Sequence, residues 1–157
     1  MTTYQYEPSK LVESYKTFKS SLSTGSSTLS STTKNAHSSK LIAAAVQLTA
    51  VGSPANDVEG FWKRAHDAVV DAAQNGATLI LLPELFLSPY FCQSQEAVLM
   101  GLAEDLQDNF IIQDFQKMAQ KYNVVLPISL FERCNNVLYN TVVMIDADGT
   151  NLGIYRE

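Results

Sequence analysis

Cysteine is scarce in this chain. Two thiols, Cys92 and Cys134, occur in 157 residues; with no signal-like leader ahead of them, they read as free thiols of a reducing interior and not as a disulfide framework. Histidine is just as sparse. His37 falls in a Ser/Thr-rich tract and His66 on the expected polar face of a helix, and neither has a partner at metal or triad spacing. Charge is thin at 17% and its balance is acidic, with a net charge of −5 and a pI near 5.0. That excludes the basic patch of a nucleic-acid binder and leans weakly toward a small cationic ligand. There is no Gly-rich phosphate loop, and no apolar run approaches the length needed to span a bilayer.

What remains is a soluble globular composition, 46% hydrophobic, of a size that fits one domain. Residues 1–39 stand apart. Ser and Thr dominate SSLSTGSSTLSSTTKNAHSS and apolar side chains are few, so this segment is expected to be disordered, with the domain running from 40 to 157. As an organelle-targeting segment it fits only half the profile: it has no arginine, and it carries Glu7 and Glu13. A cytoplasmic location is therefore expected, with organelle targeting as the alternative.

From Leu41 the pattern becomes regular. LIAAAVQLTA is a strand; Asn56 with Glu59 resembles a capping box; Val58, Phe61, Trp62, Ala65, Ala68, Val69, Ala72 and Ala73 then recur at helical spacing, and Gly76 stands where a C′ glycine belongs. A second strand, Thr78 to Leu82, completes a βαβ unit whose two strands are expected to be parallel and buried. After a less regular helical stretch, Gln95 to Leu106, Asp108 is placed to cap a helix over Phe110 to Tyr122, ended by Asn123. VVLPISLFE makes a third strand, Asn135-Asn136 a turn, Val137 to Ile145 a fourth strand, Asp146 to Gly149 a hairpin turn and Asn151 to Tyr155 a fifth strand. Stopping there leaves a layered core half built, with its apolar sheet expected to be uncovered, so the chain is expected to be a fragment.

The chemistry concentrates in TLILLPELFLSPYFCQ. A buried-strand pattern ends at Pro83, and Glu84 follows at once among Leu85, Phe86, Leu87, Tyr90 and Phe91. The carboxyl ends of strands are where ligands bind in open α/β sheets. Apolar surroundings would desolvate Glu84 and poise it as a proton acceptor; the plainer alternative is a loop glutamate facing water. Cys92 could be a nucleophile serving with Glu84, but reads better as a small buried hydrophobe, and Cys134 beside Arg133 likewise.

Three blocks together carry a family resemblance: AAVQL (Ala44 to Leu48), LILLPELF with PYFCQ (Leu79 to Gln93), and YNTVVMIDADGTNLGIYR (Tyr139 to Arg156). In this order and spacing they resemble the nitrilase, or carbon–nitrogen hydrolase, superfamily, and within it the branch of N-carbamoylputrescine amidases, whose relatives include β-ureidopropionases. The resemblance implies an α/β fold, the N-terminal half of an αββα sandwich truncated after the fifth strand, that forms homo-oligomers when full length. No cofactor, metal, nucleic acid or membrane is implied. The implied reaction is hydrolysis of a non-peptide C–N bond in a small cationic ureido substrate, N-carbamoylputrescine to putrescine, carbon dioxide and ammonia, by a Glu–Lys–Cys triad. Glu84 matches the glutamate, as general base. The lysine would directly follow Tyr155-Arg156, where this chain has Glu157. The nucleophilic cysteine belongs to a later block, Cys92 matches a different family position, and Glu132 does not match the family's second glutamate. A catalytically inactive form that pairs with a full-length amidase is the alternative this departure raises.

Overall fold

The computed structural model describes residues 41–48, 58–87, 90, 92 and 96–157; the expectations for residues 1–39 and for the Asn56 cap fall outside them. Elements follow in the order β1 (Ala43–Ala45), α1 (Val58–Gln74), β2 (Leu79–Leu81), a 3₁₀ helix (Ala97–Leu102), α2 (Phe110–Tyr122), β3 (Leu126–Cys134), β4 (Val137–Ile145) and β5 (Asn151–Arg156).

β1 and β2 pair in parallel, Ala44 opposite Ile80, with α1 as the crossover. Gly76 ends that helix at φ 89°, a left-handed turn that glycine adopts without strain. β2 is tied in turn to the foot of β3: Ile80 N–H donates to the Val125 carbonyl at 3.0 Å, and Val125 N–H to the Thr78 carbonyl at 2.8 Å. From there β3, β4 and β5 form an antiparallel meander, with Thr141 of β4 opposite both Leu130 of β3 and Arg156 of β5. Gly149 in the β4–β5 turn is obligatory on two counts. Its φ is +85°, and an added Cβ would stand 2.9 Å from the Gln116 carbonyl of α2. Gln116 Nε2 donates back to the Gly149 carbonyl at 2.8 Å, fastening the turn to the helix.

The core follows from the periodicities. Val58, Phe61, Ala65 and Val69 of α1 and Ile111, Ile112, Phe115, Met118 and Ala119 of α2 are buried with Ile80, Leu126, Ile128, Leu130, Val143 and Ile145 of the strands. Three expectations are corrected. The cap of α2 is Asn109, whose Oδ1 accepts from the N–H groups of Ile111 and Ile112, while Asp108 takes φ 54° one residue ahead of it. His66 does not face water: its Nε2 is 2.7 Å from Asp114 Oδ2, and Trp62 Nε1–H donates to the same oxygen at 3.0 Å, so the pair closes the seam between α1 and α2. Burial of both parallel strands is not met either. Leu81 is 53% exposed and β1 is largely open, as are Met144, Leu152, Ile154 and Tyr155 on the meander, because no described element covers that side. None of the described helices is long and apolar enough to cross a membrane.

Candidate active site

β2 ends at Leu81 and the chain turns over residues 84–87. Leu85, Phe86 and Leu87 are buried, and the Phe86 ring meets Phe115 of α2 edge-on at 5.4 Å. Glu84 is exposed. The apolar neighbours that sequence proximity assigned to it turn inward and leave the carboxylate outside, so the expected desolvation is absent. Its hold comes from hydrogen bonding instead. Asn140 Nδ2–H of β4 donates to Glu84 Oε1.

The turn is strained where it matters. Leu85 has φ 49°, a left-handed conformation that costs a branched side chain about 1–2 kcal/mol. Its N–H is met by the hydroxyl of Ser129 in β3 at 3.0 Å, and Ser129 is buried. Ser129 Oγ lies 3.5 Å from Asn140 Oδ1. Position 157 also reaches this place. The Glu157 N–H donates to the Asn140 carbonyl at 2.9 Å, and its Oε2 lies 3.4 Å from Asn140 Nδ2. One amide group therefore stands between the Glu84 and Glu157 carboxylates.

Tyr90 and Cys92 border the same site. The Tyr90 phenol is hydrogen-bonded with the Cys92 thiol; the thiol first, then the Glu84 carboxylate, hold it above the usual tyrosine range. Cys92 is exposed and not the buried hydrophobe the sequence favoured. Cys134 is half-buried at the end of β3, against Arg156.

A second polar cluster escaped the sequence reading. Glu132, 2% exposed, accepts from Arg156 Nη2 at 2.5 Å and Nε at 2.7 Å, and from the Thr141 hydroxyl at 2.6 Å. The Arg156 guanidinium lies over the Tyr139 ring, 4.6 Å from its centre. Arg156 holds the Glu132 carboxyl below the ordinary glutamate range; burial opposes this and the Thr141 hydroxyl adds to it. The arginine is held above its own usual range by the same hydrogen bonds. The 3₁₀ helix and the stretch after it are fastened to β3 beside Glu132: Arg133 N–H donates to the Glu104 carbonyl at 2.7 Å, and Arg133 Nη2 to the Met100 carbonyl at 2.6 Å.

Strand alternation puts the two clusters on opposite faces. Glu132, Thr141, Arg156 and Tyr139 share the face of the core residues Ile128 and Leu130, whereas Ser129 and Asn140 point the other way.

Several known proteins are similar to this chain. A citrullinase from Francisella tularensis is 42% identical over 102 residues, covering 65% of this chain and 35% of its own length. An N-carbamoylputrescine amidase from Oryza sativa is 40% identical over 119 residues, covering 76% of this chain and 38% of its own. The chain thus spans somewhat over a third of these relatives. Among solved structures, a carbon–nitrogen hydrolase from Helicobacter pylori G27 superposes with a TM-score of 0.64 at 29% identity, over 74% of this chain and 39% of that one. The family model for carbon–nitrogen hydrolases matches residues 42–157, and the chain belongs to the carbon–nitrogen hydrolase family.

Proposed function

We propose that this chain carries the general-base part of an amidase that cleaves the C–N bond of a terminal ureido group, with N-carbamoylputrescine as substrate and putrescine, carbon dioxide and ammonia as products, a putrescine-forming step of polyamine biosynthesis. The observation that carries the reading is the Glu84 carboxylate at the end of β2, held by the Asn140 amide within the family match. The names of the two relatives support the substrate class, since citrulline and N-carbamoylputrescine both present a ureido group on an alkyl chain that bears an amine.

In this mechanism Glu84 takes the proton of a cysteine thiol, and the thiolate attacks the ureido carbon. The tetrahedral oxyanion collapses, and the C–N bond to the terminal nitrogen breaks. That nitrogen leaves as ammonia with the proton Glu84 returns. Glu84 then accepts a proton from water as the water attacks the thioester carbon, releasing a carbamic acid that decomposes to the amine and carbon dioxide. A cation is needed where the oxyanion develops. Position 157 is near enough to supply one, because its side chain already meets Asn140.

Glu157 at that position favours a second reading for the chain as it stands: a non-catalytic form that works, if it works, beside a full-length amidase. An acid facing Glu84 across one amide repels developing negative charge. The test is ammonia release from N-carbamoylputrescine and citrulline. The 157-residue chain is expected to release none above background. A form with lysine at position 157 and the family's downstream cysteine block is expected to turn over, and to lose at least about a thousandfold in kcat on Glu84→Gln. Substantial turnover by that variant removes Glu84 from the base role, and family-like rates from the short chain refute its lack of a nucleophile.

A further inference from the structure

We infer that Ser129 and Asn140 are positioning residues that aim one chosen oxygen of Glu84, through a closed ring of hydrogen bonds that begins and ends on the Glu84-Leu85 dipeptide. The inference rests on the reading of Glu84 as the base and says which of its atoms does the work.

The direction of each bond in the ring is fixed by what the groups can offer. The Leu85 N–H can only donate, so the Ser129 Oγ accepts it at 3.0 Å. The hydroxyl has one proton, and its remaining polar neighbour is Asn140 Oδ1 at 3.5 Å, an atom that can only accept. With Oδ1 turned to Ser129, Nδ2 must face away from it, and it donates to Glu84 Oε1. Each bond orients the next, and a flipped Asn140 amide would set its oxygen against the acceptor-only Glu84 carboxylate. Oε1 is thereby committed as an acceptor, and a proton taken by Glu84 must land on Oε2.

The ring also explains a feature that is otherwise a cost. Leu85 sits at φ 49° although nothing in its own side chain favours that conformation. The twist turns the Leu85 N–H to a buried hydroxyl on β3 while the preceding side chain stays outside to meet β4. Ser129 is itself buried in β3, a position where a lone hydroxyl is tolerated only with its partners met. Local strain of this kind persists where surrounding structure enforces it, and it concentrates at functional sites.

The experiment is hydrogen exchange at the Leu85 backbone amide and the Asn140 side-chain amide, followed by NMR in the 157-residue chain with no substrate or turnover involved. Failure of the ring is therefore separable from failure of the proposed activity. Glu84→Ala is expected to speed exchange at the Asn140 side-chain amide, and Ser129→Ala to speed it at the Leu85 amide and, by less, at the Asn140 amide. An Asn140 side-chain amide whose exchange is unchanged in folded Glu84→Ala overturns the proposal. So does a Leu85 amide whose exchange is unchanged in folded Ser129→Ala.

Discussion

Glu132 and Glu84 are held by consecutive residues of β4, from opposite faces of one strand. Thr141 donates to Glu132, and Asn140 to Glu84. β5 repeats the division one strand over, where Arg156 goes to Glu132 and Glu157 to Asn140. On the core face the carboxylate is buried, bidentate and matched by a cation. On the other it is exposed, singly held and faced by another acid. The difference teaches that hydrogen-bond donors on a strand can serve stability and chemistry side by side, because a pleat separates neighbours in sequence by the thickness of the sheet.

Removing the buried glutamate should have the largest effect. Glu132→Ala strips Arg156 and Thr141 of their acceptor together and should lower unfolding stability by about 2 kcal/mol in urea denaturation, at the low end for a buried pair because Arg156 remains a third exposed. A loss no greater than that of a surface substitution would break the contrast. Acid should separate the two faces next. The folded-state pKa of Glu132 is depressed, so its contribution is fully present above the ordinary glutamate value, about 4.3, and is lost as pH falls through the lower folded value. Melting temperature followed from pH 6 down to about pH 3 should therefore fall more steeply in the parent than in Glu132→Gln. Thr141→Val keeps the shape and removes one donor, with an expected cost of about 1 kcal/mol by the same denaturation. The smallest effect belongs to Glu84→Gln, which should stay within about 0.5 kcal/mol of the parent, since an exposed carboxylate contributes little to folding.

The same contrast shows what could be read in the residues alone. β4 was legible to its exact ends, Val137 and Ile145, because Asn135-Asn136 and Asp146 to Gly149 punctuate a β-branched run. The parallel pairing of β1 with β2 was legible from the helix between them. The environments of the glutamates were not. Glu84 has apolar neighbours in sequence and is exposed. Glu132 has Arg133 and Cys134 after it and is buried, and the cation that stabilises it stands 24 residues away. Only the register of three strands brings Glu132, Thr141 and Arg156 together, and no local pattern encodes that register. His66 was misplaced for the same reason, since its partner Asp114 lies on another helix. Even the α2 cap turned on geometry: two adjacent residues could both cap, and the left-handed twist at Asp108 passed the role to Asn109.

The seam between α1 and α2 gives the molecule a built-in optical gauge. Trp62 is the single tryptophan of the chain. Its indole lies 4.0 Å from the His66 ring, centre to centre, while its N–H is tethered to Asp114 across the seam. Tryptophan emission from this chain therefore comes from one ring fastened across the seam. Parting the two helices breaks the Trp62–Asp114 bond and opens the indole to water, which should redden its emission. A fluorimeter alone can then tell whether a variant at either glutamate has disturbed the helical layer or left it intact.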